Sequence, residues 1–307
     1  MKKAIIAVIV LIVIGFIPFQ QKSIVNIKAG YFDVCQQLLL AGNWIKWQPD
    51  INNTPPQQVK TDNIHSGFLI TIPNQVFKMV SGSANTFDIN TTITGVNYHY
   101  LYTVVPRDIY NNGAVIITAN TNLFKWLITK FKPNEKPDGL IQNLKAFMEN
   151  AKLYYGFTIK EKNVAETYMA VKKETILLAG KYPQIGKAFN DLNSFIAQKN
   201  IKATQPISGT YYLRGKDSIQ MLIGISINKE INSGNGIAIM RMPAGKVVIG
   251  DYKGKYGERQ KIYNAMEKYI QDNFLAKQVA PYERYLDNKL PAGDNDTVNM
   301  QVNYPVL

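Results

Sequence analysis

The sequence is poor in the residues that build metal centres, disulfides and thiol or imidazole chemistry. Its 307 residues hold one cysteine, Cys35, and two histidines, His65 and His99. A lone cysteine excludes an internal disulfide framework and every multi-cysteine zinc site, and two scattered histidines leave no ligand pattern. Neither a metal nor a cofactor is expected. Neither histidine stands in a recognisable motif with a Ser or Cys nucleophile, and Cys35 falls on an apolar helix face as a small buried side chain. Acidic residues are scarce too: 22 Asp plus Glu face 35 Lys plus Arg, a formal net charge of +13. The surplus lysine is spread along the chain. Its densest aromatic-interleaved patch, Lys125 to Lys132, carries no helix-turn-helix or RNA motif, so no nucleic-acid partner is expected and anionic lipid headgroups fit better. Ser233-Gly234-Asn235-Gly236 lacks the spacing of a phosphate-binding loop and reads as a hinge.

What is present is globular text. With 46% hydrophobic and 11% aromatic residues the composition excludes wholesale disorder, and the length predicts about two domains. Ahead of them, Ala4 to Phe19 runs without a charge or an amide. As a helix it covers about 24 Å, short of a hydrocarbon core of about 30 Å. Snorkelling of Lys3 and Lys22, or local thinning of the bilayer, would close that gap. Residues 1–22 therefore read as a single-pass anchor touching the membrane through residues 4–19. A cleaved signal segment is the alternative. Lys2 and Lys3 favour a cytoplasmic N-terminus, which puts the domains on the extracytoplasmic side.

Residues 25–153 read as a first domain. Phe32, Val34, Cys35, Leu38 and Leu39 have helical spacing, and Asn52 to Pro56 breaks it. His65 to Ile72, Val96 to Val105 and Gly113 to Thr118 read as strands. Asp138 opens a long helix with Leu140, Ile141, Leu144, Phe147 and Met148 on one face. Trp44 and Trp47 read as a lid on this core.

Residues 155–307 carry an internal repeat. Thr175 to Tyr182 is echoed by Lys246 to Tyr256. In the helices that follow, Phe189, Leu192, Phe195 and Ile196 recur as Tyr263, Met266, Tyr269 and Ile270 at a constant offset of 74. The unit reads strand–helix–strand–strand, closing on Ser218–Ile227 in the first copy and Thr297–Val306 in the second, with 228–236 as the joint. The expected fold class is α+β: an N-terminal membrane helix, an antiparallel sheet gripping a long C-terminal helix, and a pseudo-twofold duplicated strand–helix–strand–strand domain with a groove between its halves.

The second half resembles the GyrI-like small-molecule-binding family, which also serves as the effector-binding domain of AraC-type bacterial regulators. The resemblance rests on Gly254-Lys255-Tyr256-Gly257-Glu258, the segment Pro281-Tyr282-Glu283-Arg284-Tyr285-Leu286-Asp287, and the closing Val302 to Val306. Asn288 stands where that family usually has a proline. The resemblance implies a groove for flat, often cationic molecules, aromatic walls and a glutamate floor, for which Glu283 is the matching residue. Phe32-Asp33, Trp44 to Pro49 and Asp138 to Lys145 resemble the polyketide-cyclase or START-like (SRPBCC) helix-grip family, which implies an apolar cavity more than a reaction.

The candidate ligand-binding residues are Glu283, Tyr285, Tyr211, Tyr252 and Tyr256, with Tyr212 and Tyr263 as further groove walls. Tyrosine faces stack on a cation while a carboxylate balances its charge. A buried Glu283 without a partner would have a raised pKa. The competing reading is a strand-edge glutamate facing water, paired with Arg284 or a lysine. The function that follows is a membrane-tethered binding protein for a hydrophobic or cationic small molecule, not a DNA-binding regulator. Two alternatives stand: a hydrolase of strained electrophiles with Glu283 as general base, and a structural module that shields a partner.

Overall fold

The computed structural model describes residues 13–93, 95–108, 112–124, 126–127, 138–214 and 217–307, with no side-chain description at 204–206 and 208–214. The chain divides between Asn150 and Ala151 into two compact units.

Seven strands build the first unit: β1 (Phe19–Gly30), β2 (Lys60–Ile64), β3 (Gly67–Ile72), β4 (Gln75–Ser83), β5 (Thr86–Ile93), β6 (Val96–Pro106) and β7 (Asn112–Thr121). They form one antiparallel sheet in the order β1-β7-β6-β5-β4-β3-β2. Ser66, Asn74 and Gly95, with φ of 57°, 65° and 81°, close the β2–β3, β3–β4 and β5–β6 hairpins, where left-handed residues suit a tight reversal between right-twisted strands. Alternation then sorts the faces: Phe68, Ile70 and Ile72 of β3 point inward, as do Phe87 and Ile89 of β5 and Tyr100, Tyr102 and Val104 of β6. Helices α1 (Tyr31–Leu39), α2 (Ala41–Trp47) and α3 (Pro49–Asn52) follow β1. On α2, Trp44 is fully buried, its indole donating to the Leu38 carbonyl at 2.9 Å while its ring packs 5.5 Å from Phe68.

Helix α4 (Gly139–Met148) buries Leu140, Ile141, Leu144, Phe147 and Met148. Lys145 Nζ donates to the Asn26 carbonyl at 2.7 Å, tying α4 to β1.

Two sequence expectations are overturned here. The N-terminal membrane helix is the first. Residues 4–12 of the apolar run lie outside the described residues. Residues 13–16 are helical, and from Phe19 the chain is already strand. No helix among the described residues is long and apolar enough to cross a membrane. The single-pass location and the extracytoplasmic placement of the domains therefore fall. The alternating text Val25-Asn26-Ile27-Lys28-Ala29, with Val25, Ile27 and Ala29 buried, is what pulls the segment into the sheet.

The second is the α+β class with its gripped long helix. The chain is mostly antiparallel sheet with a few helices, and α4 has only ten residues. The physical reason is the density of left-handed turn residues, which returns the chain to the sheet every few residues.

After a short helix α5 (Ala151–Tyr154), the second unit runs β8 (Ile159–Val164), β9 (Thr167–Leu177), α6 (Lys181–Gln198), β10 (Ala203–Arg214), β11 (Ser218–Ile227), β12 (Ala238–Met242), β13 (Gly245–Lys255), α7 (Gln260–Asp272), β14 (Tyr282–Tyr285) and β15 (Thr297–Val306). Its sheet order is β12-β9-β11-β10-β14-β15-β13-β8. The sequence reading lacked both edge strands. Each precedes one copy of the repeat but pairs with the other: β8 with β13, and β12 with β9. Between β11 and β12, Asn235 and Gly236, with φ of 54° and 73°, form a tight reversal closed by Ile237 N–H to the Gly234 carbonyl at 2.8 Å.

Register fixes the faces. Position 208 stands opposite both Ile223, which packs under α6, and Glu283, which lies under α7. Both helices thus cover one face, with Glu283 on it. Position 207 stands opposite Gly224 and Arg284, on the other face. Gly250 of β13 is where α7 comes closest: a Cβ there would lie 2.5 Å from Met266 Sδ and 3.0 Å from Ile262 Cδ1. Gly250→Val is expected to destabilise the protein by about 1–3 kcal/mol through overpacking, read as a lower denaturation midpoint with an unchanged slope.

The first unit generates a second expectation. A chain starting at Lys22 retains the β1–β7 ladder from Lys22↔Thr118 onward, whereas one starting at Tyr31 loses it together with the burial of Val25 and Ile27. The former should give a dispersed amide NMR spectrum for the first unit. The latter should show collapse of its signals.

Candidate functional site

Two short pieces of chain assemble the site. In β14 the alternation of a strand separates Tyr282 and Arg284 from Glu283 and Tyr285, and the latter two are buried on the face under α7. Just before α7, a 3-10 turn (Tyr256–Glu258) leads into the helix. Tyr256, Arg259 and Tyr263 are spaced three and four apart, so one face of the turn and helix carries all three.

These side chains converge on the Glu283 carboxylate. Its Oε1 accepts from Arg259 Nε at 2.9 Å and from the Tyr263 hydroxyl at 3.0 Å. Its Oε2 accepts from the Tyr256 hydroxyl at 3.1 Å and the Tyr285 hydroxyl at 2.5 Å. Four donors fill the four lone-pair positions of a carboxylate. The Arg259 guanidinium also lies 3.8 Å from the centre of the Tyr256 ring, and its Nη1 donates to the Tyr256 carbonyl at 3.0 Å. The site is dry at the acid and wet at the base: the Glu283 side chain is 6% exposed and that of Arg259 30%.

Burial pushes the Tyr263 and Tyr256 hydroxyls well above their ordinary pKa, and the Glu283 charge adds to the effect. Burial pulls Arg259 down, but the charges of Tyr256 and Glu283 outweigh it and hold the guanidinium above its ordinary value.

One end of the site is closed by a loop. Tyr182 of α6 donates to Asp294, Lys181 Nζ lies 3.4 Å from the same carboxylate, and Gly257 N–H donates to the Asp294 carbonyl at 2.8 Å. The Tyr182 and Tyr256 rings meet edge to face at 6.1 Å.

Of the residues expected from sequence, Glu283, Tyr285, Tyr256 and Tyr263 are brought together. Tyr252 is not: its hydroxyl donates to the Lys255 carbonyl at 2.6 Å and its ring leans toward Phe157. Tyr211 and Tyr212 lie outside the described side chains, as does most of the Lys125–Lys132 patch. The expectation of a Glu283 without a partner is overturned by Arg259, the residue that sequence reasoning missed. Its signal was available: it shares a helical face with Tyr256 and Tyr263. Where the resemblance implies a proline, Asn288 has φ 57°, a conformation the proline ring forbids, so the turn after β14 differs.

Residues 157–304 match the GyrI-like family, described as a GyrI-like small molecule binding domain. This GyrI-like domain fits a ligand-binding role. No curated protein matches the sequence. Among solved structures, the EcmrR C-terminal domain is 18% identical, covering 49% of this chain and 98% of its own, with a TM-score of 0.39. A hydrolase from Listeria innocua is 10% identical, covering 49% and 92%, with a TM-score of 0.38. SAV2435 bound to tetraphenylphosphonium is 13% identical, covering 49% and 94%, with a TM-score of 0.30.

The raised tyrosines set an alkaline limit. The GyrI-like fold favours their protonated forms, so their contribution is complete below the unfolded tyrosine pKa of about 10 and is lost as pH rises above it. Each adds a slope of about 1.4 kcal/mol per pH unit there. Urea unfolding between pH 9 and 12 should show that slope, reduced by about one proton in Tyr263→Phe.

Proposed function

We propose that the GyrI-like domain binds a lipophilic organic cation at Glu283, and that the cation takes the place Arg259 holds in the resting protein. One observation carries this reading: a cation already sits there, stacked 3.8 Å from the Tyr256 ring centre and paired with a buried carboxylate. A flat or bulky cation would make the same two contacts, an aromatic face and a desolvated negative charge. Arg259, with 30% of its side chain exposed, can swing into water while the incoming cation answers the Glu283 charge in its place. A ligand is therefore exchanged for an internal ion pair, which favours ligands whose apolar surface adds to the charge contact.

The hydrolase reading is less well supported. A general base must offer a lone pair to water, and the Glu283 oxygens already accept from three phenols and a guanidinium.

The test is a pair of variants titrated with tetraphenylphosphonium and with neutral triphenylphosphine oxide. Glu283→Gln should weaken the cation by about ten- to a hundredfold, since a charge-assisted contact contributes about 1.5–3 kcal/mol, and should leave the neutral compound nearly unchanged. Arg259→Met should bind the cation more tightly. Without ligand it should be less stable by about 1–3 kcal/mol, because the buried carboxylate loses its partner. Equal weakening of both compounds in Glu283→Gln, or weaker cation binding in Arg259→Met, would defeat the proposal.

A further inference from the structure

The face of the second sheet turned away from α6 and α7 carries a cleft of about 1110 Å³, and Glu283 is not part of it. The same strand serves both faces. Tyr282 and Arg284 of β14 line the cleft, while Glu283 and Tyr285 point beneath α7. Its apolar wall is formed by Met169, Leu222, Met240 and Met242, with Ile207 behind them. Methionine side chains are unbranched and adapt to the shape of what they cover.

The charged side chains that line this cleft are basic. Lys162, Arg241, Lys246 and Arg284 line it, and among the described residues no Asp or Glu does. Arg241 is paired outward with Glu166 at 2.5 Å, and Lys246 with Glu161 at 3.1 Å. Arg284 is different: its Nε is buried and has no hydrogen-bond partner among the described residues. A buried guanidinium nitrogen without an acceptor is costly in a folded protein, and an anionic head would supply both an acceptor and a countercharge. The cleft therefore has the opposite chemistry to the Glu283 site: apolar walls and a cationic floor instead of aromatic walls and an acidic one.

We propose that this cleft is a second ligand site, which takes an apolar organic anion, its carboxylate or equivalent head on Arg284 and its hydrocarbon against the methionine wall. Strand β14 then separates two sites of opposite charge preference, one on each face of a single sheet. The inference stands independently of the cation reading, since it uses none of the Glu283 partners.

The experiment is calorimetric titration of the full-length Glu283→Gln variant, which removes the acidic site from the comparison and serves as the parent, with dodecanoate below its micelle concentration and with dodecanol and dodecyltrimethylammonium as controls of equal chain length. Dodecanoate should bind with one-to-one stoichiometry and at least tenfold more tightly than either control. Arg284→Met should reduce its affinity by about tenfold or more, to the level of dodecanol, and Arg284→Lys should restore part of the loss. Leu222→Trp, which fills the cleft without touching the charge, should weaken dodecanoate and dodecanol alike. Circular dichroism melts of each variant separate loss of binding from loss of fold. The proposal is overturned if folded Arg284→Met binds dodecanoate as the parent does, if dodecyltrimethylammonium binds as tightly, or if dodecanoate does not bind at all.

Discussion

A buried carboxylate must be answered, and the second unit is arranged around answering Glu283. Removing an ionised carboxylate from water costs several kcal/mol, even in a protein interior that relaxes around it. The sheet places Glu283 where water cannot reach, so the compensation has to come from the chain. Three tyrosine hydroxyls and Arg259 supply it, from β14 itself and from the turn and helix that lead out of β13. That requirement sets the approach of α7 to the sheet, which the absence of a side chain at Gly250 permits. It also bears on the loop that carries Asp294, because Tyr256 is held from behind by Tyr182 and by the 294–296 backbone.

A site satisfied in this way is both stable and exchangeable. The phenols are fixed by packing: Tyr285 is 1% exposed and Tyr256 4%. Arg259 is the charged donor of the group and has 30% of its side chain exposed, at the end of a long flexible stem. The arrangement thus contains a rigid acceptor and a replaceable donor, and these are the two components a cation-binding site needs. Its specificity would come from the aromatic face of Tyr256 and from the cost of leaving the carboxylate unpaired, which penalises neutral ligands that displace Arg259.

The period-two alternation of β14 gives the unit two faces with different chemistry. Tyr282 and Arg284 belong to an apolar cleft lined by cations, one residue out of phase with the acidic site. A slip of one residue in this strand would exchange the two sites, placing Arg284 under α7 and Glu283 in the methionine cleft. Pairing with β15, Tyr282↔Asn303 through Tyr285↔Met300, prevents that slip.

Local pattern in the sequence determined a good deal. The alternation in Gly67–Ile72 and the 3–4 spacing of Leu140, Ile141, Leu144, Phe147 and Met148 are one-dimensional signals, and the backbone obeys them. The segment around Glu283 was picked out by its resemblance to a family motif, and within it the period of two puts Glu283 and Tyr285 on one face. What the sequence could not say is which distant segments meet. An apolar run with no polar face looks like a membrane helix until the alternating stretch after it is seen paired with β7, a hundred residues on. Strands β8 and β12 are short edge strands, and only their crossover partners β13 and β9 make them strands. Arg259 was one residue beyond the motif, and its spacing of three and four from Tyr256 and Tyr263 places it on their face without saying which carboxylate that face meets. It becomes the partner of Glu283 because the tertiary fold brings the start of α7 over β14, and a buried charge takes the nearest opposite one.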